Sequence, residues 1–263
     1  MKKIYITTSS FGKLSKKPFD ILKKKGVSFD INKKGRKLNH DEMLENLSGC
    51  SGVIAGTELY TIDLLKKLKK LKVISRLGVG IDNLPIDYIN ENGIKIYRSS
   101  KYLSESVAEL TIGLIFNLLK KITFLNNKLK RGVWEKDYGN LLSGKTVGIV
   151  GMGNIGKKLA KMLKGFEIRL LANDLNPDVK YLKNLNAEFV SFDYLLRESD
   201  VVSIHLSLNE KTKNLFTYNE FKKMKKNSIL INVSRGEIVN ENDLVRSLNN
   251  KIINGSGCRC LYK

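Results

Sequence analysis

The segment KTVGIVGMGNIGKKLAKML constrains this chain more than any other. A strand runs into Gly151, Gly153 and Gly156, and a helix opens immediately afterwards, which is G-x-G-x-x-G in the strand-turn-helix setting that gives the pattern meaning. Gly151 permits the tight turn, Gly153 lets the backbone approach a pyrophosphate, and Gly156 allows the helix to pack closely on the strand. The helix N-terminus then offers N–H groups and a positive dipole to phosphates. The next strand ends RLLAND, which puts Asp174 18 residues after Gly156. That is close to the roughly 20 expected of a carboxylate that accepts hydrogen bonds from an adenosine ribose. No arginine follows to hold a 2′-phosphate, so the pattern favours NAD over NADP.

Around this segment, short runs rich in Val and Ile alternate with longer amphipathic ones, the order of βα units feeding parallel sheets. One series has strand candidates KIYITTS, VSFDIN, SGVIAG, LKVISRL and IKIYRS, with helix candidates such as HDEMLENLSG and PIDYINENG between them. A second runs through KTVGIVG, EIRLLAND, AEFVSF, VVSIHL and SILINVS. With 263 residues there is enough chain for two cores. Between the series, helix signals dominate from Ser104 to about Lys130, with Ser104 as a candidate N-cap and apolar positions too dense for one buried face. Such a helix is expected between domains or against a partner subunit.

The formal charge of +21 raises nucleic acid or an anionic membrane as a partner. The excess is mostly lysine on solvated helix faces, as in LLKKLKKLK, where Leu64, Leu65, Leu68 and Leu71 share one side. Aromatics are not interleaved with the basic runs, so no nucleic-acid partner is expected. MKKIYITTSSFG has no signal-like apolar core, and no uncharged run approaches the roughly 18 residues of a membrane span. A cytoplasmic chain without membrane association is expected. Cys50, Cys258 and Cys260 lack CxxC spacing, and no metal site is expected.

Three other polar residues could serve a site. His205 ends the strand VVSIHL, at the carboxyl edge where open α/β sheets bind ligands. Arg235, in INVSRGEI, follows another strand and should emerge beside the nicotinamide end of a cofactor, where a guanidinium can grip a carboxylate through two hydrogen bonds. The alternatives are a tolerated strand-end histidine and an exposed loop arginine. His40, in LNHDEML, reads as a surface residue at a helix start.

Taken together, LKVISRLGVGIDNL, SVAEL, RGVW, LSGKTVGIVGMGNIG, SDVVSIHLSLNEKT and LINVSRGEIVNENDL resemble the D-isomer-specific 2-hydroxyacid dehydrogenases, most of all the phosphoglycerate dehydrogenase branch. The resemblance implies two doubly wound parallel-sheet domains: a flavodoxin-like substrate domain over residues 1–100 and a Rossmann NAD domain over 101–263 that opens with the long dimerisation helix. It implies hydride transfer between a 2-hydroxy acid, with 3-phosphoglycerate as one candidate, and NAD. Arg235 would bind and polarise the substrate, and the backbone of Val79 and Gly80 would hold its carboxylate. Asn154 and Ile155 would touch the pyrophosphate and Asp174 the ribose, while His205, Leu206, Val233 and Ser234 would line the cofactor. A homodimer is the implied assembly.

The resemblance also places the family's acid/base histidine and its glutamate past Lys263, so the NAD domain is expected to be cut short and turnover to be small. Where the family pattern has Gly-Ser-Gly-Val-Asp-Val-Tyr, this chain has GSGCRCLYK. Written as TGT AGA TGT TTA TAT AAA, the last six residues become Val-Asp-Val-Tyr-Ile one base later, so a change of reading frame after Gly257 is expected. A non-catalytic NAD-binding sensor or partner subunit is the alternative reading.

Overall fold

In the computed structural model, which describes residues 3–99 and 101–260, the chain divides into two compact units, Met1–Leu103 and Ser104–Lys263. The last three residues of GSGCRCLYK lie outside the described residues.

The first unit carries β1 (Lys3–Ile6), α1 (Lys17–Lys24), β2 (Ser28–Ile31), α2 (His40–Leu47), β3 (Gly52–Ala55), α3 (Ile62–Lys67), β4 (Val73–Arg76), α4 (Ile86–Glu91) and β5 (Lys95–Arg98). All its strand pairings are parallel, in the order β2-β1-β3-β4-β5, which is the flavodoxin-like arrangement. Local chemistry starts the helices. Asn39 and Glu42 form a reciprocal capping box at α2, and the Thr61 hydroxyl caps α3. The leucines of LLKKLKKLK turn inward and the lysines between them stay exposed, although α3 itself ends at Lys67 and Leu68 and Leu71 reach the core from the turn beyond it.

The second unit adds α5 (Lys101–Leu119), α6 (Ile122–Lys130), β6 (Thr146–Val150), α7 (Asn154–Leu163), β7 (Arg169–Asn173), α8 (Val179–Asn184), β8 (Ala187–Phe189), α9 (Phe192–Glu198), β9 (Val201–Ile204), α10 (Tyr218–Lys223), β10 (Ile229–Asn232), α11 (Glu241–Asn249) and β11 (Gly255–Cys258). Its sheet is again parallel, ordered β11-β10-β9-β6-β7-β8. Renumbered within the unit this is the Rossmann order, with the direction of winding reversing between β6 and β9. One core lies on each face of the sheet, Ile149, Leu159 and Ile231 in one and Val150, Leu171 and Ile204 in the other.

Three details depart from the sequence reading. Ser104 is the fourth residue of α5 and is buried inside it, so it is not an N-cap. The helix expected to run from Ser104 to about Lys130 is two helices. The Leu119 carbonyl, which a continuing helix would offer to Thr123, accepts instead from Asn140 N–H at 2.8 Å. Thr123 N–H donates to Asn117 Oδ1 at 3.0 Å, and Lys121 at the joint turns left-handed with φ 55°. Finally, a sixth strand, β11, pairs with β10, where the sequence showed no strand pattern. Glycines carry no strand pattern, and here they ease the fit under α5: a Cβ at Gly257 would lie 3.3 Å from Leu114 Cβ, tighter than ordinary contact.

Candidate cofactor and substrate site

The glycine turn is shaped by what stands behind it. Gly151 has φ 98°, a left-handed conformation, and a Cβ there would meet His205 O at 2.6 Å. At Gly156 a Cβ would fall 2.1 Å from Gly151 O, so α7 can rest on the turn only because that position is glycine. Gly153 is different: a Cβ there would meet nothing within 4 Å. It is the N-cap of α7 and supplies no side-chain cap, so the first N–H groups of the helix have no capping side chain beside a bare backbone. The vacant volume at Gly153 and the uncapped helix end suit a pyrophosphate.

Neighbouring strand ends close around this turn. Asp174 Oδ2 accepts from Met152 N–H at 2.6 Å and Oδ1 from Asn176 N–H at 2.8 Å, so the carboxylate is fixed at the lip of the glycine loop. His205 N–H donates to Val150 O at 2.7 Å, and its Nε2 lies 2.8 Å from Ser203 Oγ. Burial of the ring disfavours its charged form and pulls its pKa down to about 3, so His205 is neutral. On the other side Ser234 Oγ donates to Ile204 O at 2.8 Å and ties the end of β10 to the end of β9. Asn232 shapes the next turn: its Oδ1 accepts from Ser234 N–H and its Nδ2 donates to Arg235 O at 2.8 Å. Arg235 Nη1 donates to Ser234 O at 3.0 Å, Val233 is buried, and Leu206 is half-buried against the core.

Within the second unit, then, Gly151, Gly153, Asn154, Ile155, Gly156, Asp174, His205, Leu206, Val233, Ser234 and Arg235 all stand at the carboxyl edge on both sides of the β6–β9 reversal. Open α/β sheets bind ligands at this position. Val79 and Gly80 occupy the corresponding edge of the first unit's own sheet, after β4. Their N–H groups donate to no described residue. Asn232 and Ser203 were not singled out from sequence, although each is a polar residue in an otherwise apolar strand. That signal could have found them.

Residues 112–260 match the pattern of the D-isomer specific 2-hydroxyacid dehydrogenases, NAD binding domain. The chain belongs to this family. Among relatives of the dehydrogenase family, a glyoxylate reductase of Thermococcus litoralis is 35% identical over 210 residues, covering 76% of this chain and 63% of that protein. A D-3-phosphoglycerate dehydrogenase of Methanocaldococcus jannaschii is 33% identical over 216 residues, 80% of this chain and 41% of that one. The chain thus spans less than two thirds of the length of these relatives. The crystal structure of the TT0316 protein from Thermus thermophilus superposes with a TM-score of 0.88 at 28% identity, over 98% of this chain and 82% of that one. The family pattern marks the second unit as an NAD-binding domain. No helix among the described residues is long and apolar enough to cross a membrane.

Proposed function

We propose that the chain is an NAD-dependent oxidoreductase of the D-2-hydroxyacid type, with residues 1–100 as its substrate-binding domain and 101–263 as its cofactor domain. The observation that carries the reading is the convergence of the glycine turn, the anchored Asp174 and Arg235 on the carboxyl edge at one sheet reversal. Gly151 to Gly156 would seat the pyrophosphate, Asp174 the ribose hydroxyls, and His205, Leu206, Val233 and Ser234 would line the remainder. When bound, NADH supplies the hydride for C2 of a 2-oxo acid. In the first unit the Val79 and Gly80 N–H groups would suit a substrate carboxylate; in the second, Arg235 would polarise a carbonyl, with the fixed two-pronged geometry that suits guanidinium to oxyanions. Glyoxylate is the smallest 2-oxo acid, and 3-phosphoglycerate is a phosphorylated 2-hydroxy acid that would give up its C2 hydride in the reverse direction.

The proton is the weak point. The chain has two histidines. His205 is half-buried, neutral and hydrogen-bonded to Ser203, and His40 opens α2 in the first unit, where Asp41 and Asp63 engage its ring. The neutral His205 ring is a poor proton donor, and a positioned general acid is worth about 10²- to 10⁴-fold in rate. This favours a second reading, an NAD-binding sensor or partner subunit with little turnover. Oxidation of NADH by the purified chain with glyoxylate separates the two: catalytic turnover that Arg235→Ala abolishes supports the enzyme, and NADH binding without turnover supports the sensor.

A homodimer completes the proposal. On α6 and the loop after it Phe124, Leu129, Val133, Trp134, Tyr138 and Leu141 are exposed, Trp134 to 78%. Six large apolar side chains exposed within 18 residues of sequence would suit a surface covered by a second copy.

A further inference from the structure

Glu58 is a buried acidic residue. It sits on the loop after β3, is 3% exposed, and its Oε2 accepts from Thr7 Oγ1 at 2.8 Å and from Gly56 N–H at 2.9 Å. A buried carboxylate is costly unless donors occupy its lone pairs, so these two bonds hold it in one orientation. A Cβ at Gly56 would lie 2.9 Å from both carboxylate oxygens, so a larger residue there would displace the group.

The same loop is tied to the loop after β4. Asn83 Nδ2 donates to Glu58 O at 2.6 Å and more weakly to Gly56 O at 3.4 Å, while Tyr60 N–H donates back to Asn83 O at 3.0 Å. At the other end Leu77 N–H donates to Ala55 O at 2.9 Å, and Arg76 Nη1 reaches Leu77 O at 2.5 Å. The segment Gly78–Asp82 is therefore clamped at both ends, and its middle presents the N–H groups of Val79 and Gly80, which no described residue engages.

We propose that Asn83, backed by the buried Glu58, is a positioning residue for substrate: it fixes the backbone of Val79 and Gly80 in the conformation that receives a 2-oxo acid's carboxylate. The inference rests on the assignment of that carboxylate to Val79 and Gly80. Neither Asn83 nor Glu58 needs to touch substrate, because a rigid loop binds an anion without first ordering itself.

Glyoxylate is the probe, titrated calorimetrically into the full chain saturated with NAD+, which cannot reduce it. Asn83→Ala and Asn83→Asp, which lack the amide donor, are expected to weaken glyoxylate binding about tenfold or more, in line with the loss of a hydrogen bond that preorganises the site. Their NADH affinity should stay unchanged. Glu58→Gln, whose amide oxygen can accept the same two bonds, should bind glyoxylate almost as wild type does, and Glu58→Ala should not. If Asn83→Ala fails to fold, the shape-preserving Asn83→Asp carries the test. Wild-type glyoxylate affinity in folded Asn83→Asp overturns the proposal, as does a parallel fall in NADH affinity. A wild-type chain that binds NAD+ but no glyoxylate overturns the carboxylate assignment first and this proposal with it.

Discussion

Asp174 Oδ2 accepts a 2.6 Å hydrogen bond from Met152 N–H, which joins the acid at the end of β7 to the middle of the glycine turn after β6. One carboxylate thus braces the turn, and the proposed function gives it the ribose hydroxyls as well. Asp174→Ala is expected to lower NADH affinity by about 10- to 100-fold, the worth of one to two hydrogen bonds to a charged group. NADPH affinity should fall less, since the removed charge also repels a 2′-phosphate. Parallel titrations of both nucleotides check this.

The three glycines should separate under substitution by alanine. Gly156→Ala drives a methyl into Gly151 O and is expected to cost about 1–3 kcal/mol of stability, the range for overpacking, read as a lower Tm. Gly153→Ala meets nothing within 4 Å and has an ordinary φ of −68°, so its Tm should match wild type while its methyl occupies the space for the pyrophosphate and weakens NADH binding. Loss of Tm at Gly153 with intact NADH binding would reverse these roles.

His205 should leave a signature in acid. Its pKa falls from the ordinary 6.5 to about 3 on folding, so below about pH 6.5 the unfolded chain takes up a proton that the folded chain refuses. The stability that the neutral ring contributes is complete above that pH and is lost progressively as pH falls towards 3. Between pH 6.5 and 5, where most carboxylates remain ionised, wild-type Tm should decline more steeply than that of His205→Gln. Equal slopes would show that the ring is not held neutral.

The apolar face after α5 should report itself hydrodynamically. Leu129→Asp combined with Trp134→Asp is expected to convert a dimer into a monomer in sedimentation equilibrium while NADH still binds. A wild-type chain that is monomeric at all concentrations would remove the dimer from the proposal.

Legibility in the sequence followed the range of the interactions. The β6–α7 unit could be read directly, because strand, turn and helix lie in one stretch and the three glycines keep a fixed spacing within it. Asp174, His205 and Arg235 could be placed at strand ends, since parallel strands deliver their next residue to the carboxyl edge. What escaped depends on partners distant in sequence. The break between α5 and α6 arises because Asn140 takes the Leu119 carbonyl, and β11 runs where Gly255 and Gly257 fit beneath Leu114 and Leu118. The Glu58–Asn83 link joins two loops 25 residues apart through a side-chain amide and a backbone carbonyl, a pairing that no periodicity reveals.

The most direct test of the account is a titration of the purified chain with NADH, followed by nucleotide fluorescence and repeated with NADPH. Saturable binding at one site per chain, tighter for NADH and weakened by Asp174→Ala, is the expected result. A chain that is folded by circular dichroism yet binds no NADH at millimolar concentration would contradict it.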